Sequence, residues 1–173
     1  MKRISTIVLF ALALPTVASA QSGADPGITA LRSNWQGVID NITKAAEELT
    51  DADYAYRPVA TVRTFGELIG HIAGSQNLMC AAALGDPQPA EDAVEKVAKN
   101  KAALVKALKE STAYCTKAYA ITTAAGAAPA TLFGETSTRV GALALNAVHD
   151  GEHYGNIVTY MRMKGMVPPS SKR

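Results

Sequence analysis

Residues 147–169 read AVHDGEHYGNIVTYMRMKGMVPP, and this stretch holds two of the three histidines of the 173-residue chain. His149 and His153 are four residues apart, so on a helix their side chains lie on the same face, one turn apart. Gly165 and the two prolines that follow it are typical of a helix end. The stretch therefore predicts a helix over about residues 137–164 that presents two imidazoles to one spot.

Three further segments carry the apolar period of a helix, and connections rich in Gly, Pro and Ala separate them. The first helix is predicted over about residues 28–49. The second begins at Thr64, where Glu67 completes a capping box, and ends at Gly85. The third is clearest from about Lys99. Alternating runs are few and no Asn-Gly or Asp-Gly turn occurs, so the pattern predicts an all-α fold, a four-helix bundle.

The first twenty residues, MKRISTIVLFALALPTVASA, have a basic start, an apolar run and a small-residue cleavage site. This order is typical of a secretory signal peptide, and the apolar run is shorter than the ~20 residues that a membrane anchor needs. We therefore expect a signal peptide at residues 1–20, cleavage after Ala20, and one domain over residues 21–173. The protein is then periplasmic or secreted.

Charge narrows the class of partner. Removal of the signal peptide takes away Lys2 and Arg3, so the formal charge falls from +2 to about zero. A neutral protein has no electrostatic footprint for nucleic acid or an anionic membrane. We expect a small-molecule substrate or ligand, with no nucleic acid and no membrane contact after signal removal. A homodimer that forms through exposed helix faces stays open.

The third histidine, His71, lies on the interior face of the second predicted helix. If the second and fourth helices pack side by side, three imidazoles converge, and three ligands leave coordination positions open, as in catalytic metal sites. The alternative is a chance spacing of ordinary core histidines. Asp150 follows His149, so the motif is not the His-Glu-x-x-His of zinc proteases. Zinc or nickel is the first choice for such a site, with iron and copper as alternatives.

The catalytic residues stay unassigned, and three side chains are candidates. Asp150 and Glu152 flank the histidine face and could orient a ligand or move a proton; the alternative is that both are solvated. Tyr160 is in line with the histidines and could donate to a substrate, or it could pack in the core with a satisfied hydroxyl.

TFGELIGHIAGSQNLMC (residues 64–80) and HDGEHYGNIVTYMRMKGMVPPS (residues 149–170), with YRP at residues 56–58, resemble the DinB superfamily of metal-binding four-helix bundles. The resemblance implies up-down-down-up order, with a long crossover between the second and third helices, and a divalent metal ion held by His71, His149 and His153. Characterised relatives include metal-dependent thiol transferases and a glutathione-dependent isomerase. The resemblance therefore implies a metal-dependent enzyme, either hydrolase-like or thiol-transferase-like. A non-catalytic, stress-related protein that binds a metal or ligand stays open as the alternative.

The two cysteines test the implied order. Cys80 and Cys115 are each sixteen residues beyond the predicted starts of the second and third helices, at Thr64 and Lys99. If those helices run parallel, both sulfurs lie ~24 Å along them and at the same level. Export favours a disulfide, whereas two buried free thiols remain the alternative.

Overall fold

A computed structural model of the chain describes residues 25–172, and the predicted signal peptide lies outside this range. The described residues form seven helices, one hairpin and a short 3₁₀ turn at Pro169–Ser171. The helices are α1 (Pro26–Glu48), α2 (Asp51–Tyr54), α3 (Phe65–Leu84), α4 (Ala93–Val97), α5 (Lys101–Ala118), α6 (Thr123–Gly126) and α7 (Arg139–Met163). The strands are β1 (Pro129–Leu132) and β2 (Glu135–Thr138).

The four long helices, α1, α3, α5 and α7, are the four that the sequence predicts, and the all-α bundle is confirmed. Their ends follow local chemistry. At the start of α3 the Thr64 hydroxyl accepts a hydrogen bond from the Glu67 amide (3.1 Å), and the Glu67 carboxylate accepts one from the Thr64 amide (2.7 Å). The helix ends at Gly85, whose left-handed backbone conformation (φ 83°) suits glycine.

The connection before α7 contains a short hairpin that the sequence pattern does not predict. Strands β1 and β2 pair antiparallel, with Leu132 opposite Glu135. Phe133 and Gly134 form the two-residue turn, and both have positive φ angles, as hairpin turns of this length require. This turn is Phe-Gly and not one of the Asn-Gly or Asp-Gly pairs that signal such a hairpin in a sequence. Leu132 is buried in the core and anchors the hairpin to the bundle.

Helices α3 and α5 lie side by side and run in the same direction. Near their middles the Gln76 side-chain amide donates to the Ser111 hydroxyl (3.3 Å). One turn further along both helices, a disulfide joins Cys80 and Cys115, with their Cα atoms 5.3 Å apart. The predicted bridge is therefore present, and the free-thiol alternative is not.

Two hydrogen bonds at the helix ends give the directions of the other two long helices, α1 and α7. Tyr160, near the end of α7, donates to the Arg63 carbonyl just before α3 (2.8 Å), so α7 runs opposite to α3. Lys101, at the start of α5, donates to the Glu47 carbonyl at the end of α1 (2.9 Å). Helix α1 therefore runs opposite to α5.

The crossover between α3 and α5 packs closely against one face of α3. A Cβ atom at Gly74 would lie only 1.9 Å from the Glu91 carbonyl oxygen, so this approach requires glycine. The neighbouring Ser75 hydroxyl donates to the Glu91 carboxylate (2.9 Å), and Glu95 pairs with Arg63 (3.2 Å). The crossover is thereby held against the end of the bundle that carries the histidines.

The core lies between the four long helices. Trp35 of α1 is fully buried and stacks on Tyr119, with ring centroids 4.2 Å apart. Burial of such aromatic side chains is a major part of the folding free energy of a domain this size. Within residues 25–172, no helix is both long enough and apolar enough to span a bilayer.

Candidate metal centre

Helices α3 and α7 bring the three histidines together. His149 and His153 lie on one face of α7, one turn apart, and His71 faces them from α3. The Nε2 atom of His149 is 3.1 Å from that of His71 and 3.0 Å from that of His153. Ligand atoms of all three histidines lie within 4.8 Å of one another. The structure thus brings together the three residues that the sequence singles out.

The arrangement fits a divalent metal ion. Two imidazole nitrogens on one ion at ~2.0–2.1 Å are separated by about 2.9–3.4 Å, and the two observed Nε2 separations fall in this range. If each ring carries its proton on Nδ1, three nitrogen lone pairs face one point, where a cation is attracted. Three neutral imidazoles suit zinc, nickel, iron or copper.

The surroundings keep two of the rings neutral. Burial, helped by the charge of Arg63 and by the neighbouring histidines, lowers the pKa of His71 to about 3. Burial and the proximity of His149 lower the pKa of His153 to about 4. A metal ligand must offer an unprotonated nitrogen. Both rings are therefore ready to bind an ion at neutral pH.

Asp150 lies next to His149 on the side of α7 that faces the core. The alternative that its side chain is solvated is therefore wrong. Its side chain is completely buried, because this face of α7 packs against α1. Its Oδ2 atom accepts hydrogen bonds from Trp35 Nε1 (3.0 Å) and Asn146 Nδ2 (3.4 Å). Its Oδ1 atom is 3.8 Å from Nδ1 of His149. Burial raises the pKa of the Asp150 carboxyl, while His149, Trp35 and Asn146 oppose that rise.

Trp35 and Tyr119, which belong to the hydrogen-bond network around Asp150, were not identified from the sequence as parts of the site. Trp35 counts there only as a member of the apolar face of the first helix, since nothing local indicates where its N–H points. Tyr119 accepts a hydrogen bond from Asn146 (3.1 Å) and donates to the Leu143 carbonyl (2.8 Å). Asn146 of α7 is three residues before His149 and so lies near the histidine face of the helix, and this spacing is the one sequence signal of its place in the site.

Comparison with known proteins identifies the family. A model of the DinB superfamily matches residues 34–157, which span α1 to most of α7. The chain belongs to the DinB superfamily. No curated protein sequence matches this DinB-superfamily chain significantly.

Solved structures share the fold of this DinB-superfamily member. A DinB-like protein from Bacillus cereus is 17% identical, with a TM-score of 0.70 over 82% of this chain and 95% of that one. YfiT from Bacillus subtilis, a probable metal-dependent hydrolase with an unusual four-helix bundle topology, is 16% identical, with a TM-score of 0.64 over 84% and 92%. A mycothiol-dependent maleylpyruvate isomerase is 17% identical, with a TM-score of 0.62 over 75% of this chain and 60% of the isomerase.

The other two catalytic candidates in this DinB domain have different surroundings. Glu152 is exposed on α7. Tyr160 is buried, and its hydroxyl donates to the Arg63 carbonyl, which corresponds to the packing alternative with a satisfied hydroxyl. Asn156, one turn beyond His153, places its side-chain amide 3.2 Å from Nδ1 of that histidine. If the amide is oriented with its oxygen toward the ring, that oxygen accepts a hydrogen bond from Nδ1–H of His153.

An open cavity of about 810 Å³ has His153, one of the three histidines, in its wall. This volume is in the range of small-molecule sites. Its wall combines apolar, amide and guanidinium groups from the loop before α3, from α3 itself, from α4 and from α7. The polar members include Arg57, Arg63, Glu67, Glu95, Asn156 and Thr159.

Proposed function

We propose that this DinB-superfamily protein holds one divalent metal ion through His71, His149 and His153 and catalyses a metal-dependent reaction of the hydrolase type on a small molecule. The observation that carries the proposal is the convergence of three Nε2 atoms beside a cavity open to solvent. Zinc and nickel are the first candidates for the ion.

Each part of the site has a role that its chemistry supports. The three histidines hold the ion and leave coordination positions for other ligands. When bound, a divalent ion supplies Lewis acidity and lowers the pKa of a bound water towards ~7. The guanidinium groups of Arg57 and Arg63 and the amide of Asn156 line the cavity and offer hydrogen-bond donors to the polar groups of a substrate.

The fold relatives support a metal-dependent reaction but point to two chemistries. YfiT is a probable metal-dependent hydrolase, and the isomerase depends on mycothiol, a soluble thiol. We further propose that residues 1–20 direct export and that the protein works in the periplasm or outside the cell. Small thiols are scarce there, so hydrolysis is favoured over thiol transfer. The disulfide between Cys80 and Cys115 agrees with an oxidising compartment.

Metal content and affinity test the first half of the proposal. Protein purified without a histidine tag should contain about one divalent ion per chain by elemental analysis. After chelation, titration with zinc should show one tight site. His71→Ala should weaken zinc binding at least ~100-fold, because a two-histidine pair rarely forms a tight site, while the helical content stays unchanged. If His71→Ala binds zinc as well as the wild type, the three-ligand site is wrong.

Turnover tests the second half. A panel of small chromogenic esters and amides is offered to the metal-loaded protein, to the chelated protein and to the chelated protein after readdition of one ion. Hydrolysis that disappears on chelation and returns with the ion supports the enzyme. Tight zinc binding without turnover of any substrate would contradict hydrolysis and favour a non-catalytic metal-binding protein.

A further inference from the structure

Two buried polar atoms next to the metal centre face each other without a partner. Among residues 25–172, neither Oδ1 of Asp150 nor Nδ1 of His149 has a hydrogen-bond partner, and both atoms are buried. The gap between them is 3.8 Å, just beyond hydrogen-bond distance. The large majority of buried side-chain polar atoms in native proteins have a hydrogen-bond partner. A shift of a few tenths of an ångström would pair these two.

The position of Asp150 is fixed from the opposite side. Trp35 Nε1, from α1, and Asn146 Nδ2, one turn earlier on α7, both donate to Oδ2. Asn146 is in turn held by the Tyr119 hydroxyl. These contacts occupy one carboxylate oxygen and leave Oδ1 directed towards His149. The carboxylate is therefore aimed at the ring from a rigid part of the core.

Charge gives a second reason to connect Asp150 with the metal centre. The side chain is completely buried, and no lysine or arginine in the described part of the chain forms a salt bridge with it. A buried carboxylate without a cation is costly. A divalent ion on Nε2 of His149 would place positive charge on the far side of the same ring. The site and the carboxylate are then electrostatically complementary.

We propose that Asp150 is a positioning residue that accepts a hydrogen bond from Nδ1–H of His149 and thereby directs the Nε2 lone pair of His149 to the metal ion. The inference rests on the proposed metal site. A metal-binding histidine usually donates its second ring N–H to a carboxylate, carbonyl or water, and this bond sets both the tautomer and the basicity of the ring. Asp150 does not touch the substrate cavity; it acts through His149.

The main test compares zinc affinity in the full chain. Asp150→Asn keeps the shape of the side chain but replaces the carboxylate with a neutral amide. We expect it to weaken zinc binding by about 10–100-fold, the usual effect of losing such a partner. Glu152→Gln is the matched control, because it removes one negative charge from an exposed position two residues away. It should change zinc affinity less than about twofold.

A double-mutant cycle separates positioning from a general structural role. If Asp150 acts through His149, then Asp150→Asn has no further effect on zinc affinity in the His149→Ala background. In the His153→Ala background it still weakens binding by about the same factor as in the wild type. An equal loss in both backgrounds would show that Asp150 only supports the fold, and would overturn the inference.

Failure of this inference is distinguishable from failure of the metal site. If the wild type does not bind zinc, the proposed function fails. If the wild type binds zinc, His149→Ala weakens binding and Asp150→Asn does not, the metal site stands and the role of Asp150 is wrong.

A measurement on the wild type covers the case in which Asp150→Asn does not fold. Trp35 is the single tryptophan of the chain and donates directly to Asp150. Its fluorescence should change in step with zinc occupancy, and the His149→Ala variant should not respond at the same zinc concentration. Zinc has no redox chemistry that would complicate this readout. An emission spectrum of the wild type that stays constant to zinc saturation would overturn the inference.

Discussion

His71 and His153 are buried side chains whose neutral form the surrounding protein favours. Burial is the largest cause for both, and it places the pKa of His71 at about 3 and that of His153 at about 4. In the unfolded chain both rings titrate near ~6.5. Between pH ~4 and ~6.5, these two rings bind protons in the unfolded chain but stay mostly neutral in the folded chain. These two residues therefore make the stability of the metal-free protein depend on pH.

The sign of this dependence follows from proton linkage. Above pH ~6.5 the two histidine rings are neutral in both the folded and the unfolded chain, so their contribution to stability is complete. As the pH falls from ~6.5 to ~4, protons bind the rings of the unfolded chain, and the free energy of unfolding decreases. For each histidine, this decrease in the free energy of unfolding is at most about 1.4 kcal/mol per pH unit. Urea denaturation of chelated protein at a series of pH values measures it.

The variant His71→Gln isolates the histidine contribution from that of the carboxylates. It should lower the slope between pH ~6.5 and ~3, the range between the unfolded and folded pKa values of His71, and leave the slope below pH ~3 close to that of the wild type, because only other groups titrate there. If the two proteins have parallel profiles over the whole range, then His71 titrates normally in the folded state.

At the scale of single elements, α3 shows how small residues position a helix. Gly66, Gly70 and Gly74 occur every four residues and so share one face of α3, against which the crossover and Leu104 of α5 pack. Glycine is unfavourable in a helix interior, by about 0.5–1 kcal/mol relative to alanine. The close approach of another chain segment offsets this cost and brings α4 towards the histidines.

The substitution Gly74→Ala tests this packing. The new Cβ atom would lie 1.9 Å from the backbone oxygen of Glu91, so the crossover has to move. We expect a loss of about 2–3 kcal/mol in the free energy of unfolding, as is typical for overpacked cores. Gly37→Ala in α1 is the matched control, since its Cβ meets no atom within 4 Å. It should raise stability by about 0.5–1 kcal/mol, measured by urea denaturation. Equal effects of the two substitutions would contradict the close approach.

At the scale of the whole molecule, the disulfide connects two helices that are distant in sequence. Cys80 and Cys115 are separated by 35 residues, and their bridge closes a loop that contains the entire crossover. In the chain-entropy model, a loop of this length gives about 4 kcal/mol of stabilisation, mainly by restricting the unfolded chain. The bridge holds α3, the helix that carries His71, at fixed register with α5.

Reduction of the disulfide should therefore lower the free energy of unfolding by about 4 kcal/mol. Urea denaturation with and without a reductant measures the difference. The double variant Cys80→Ala, Cys115→Ala is the control, and its stability should not respond to the reductant. If reduction changes the free energy of unfolding of the wild type by less than ~1 kcal/mol, the prediction is wrong, and the reduced unfolded chain is as restricted as the bridged one.

The proposed export is tested on the whole 173-residue chain. When residues 1–173 are expressed, the protein should be recovered from the periplasm or the medium with the mass of a chain that begins at Gln21, because the small residues before that position suit the signal peptidase. Intact mass spectrometry of the fractions gives the answer. A full-length chain that stays in the cytosol would contradict the signal peptide.

Sequence alone determined the features that depend on neighbours along the chain. The apolar periods predict the four long helices, the Thr64–Glu67 pair predicts the start of α3, and Gly85 predicts its end. The spacing of His149 and His153 follows from the pitch of one helix. These features are local because backbone hydrogen bonding and capping involve residues three or four positions apart.

Tertiary structure alone decided the features that depend on which faces meet. The contact between Trp35 and Asp150 joins residues 115 positions apart, and no local pattern indicates that Asp150 is buried rather than solvated. The arrival of His71 at the other two histidines, the approach of Glu91 to Gly74 and the Phe-Gly hairpin also belong here. A helical wheel gives the direction of a side chain about the axis of its helix. Which residues it contacts depends on how all four helices pack.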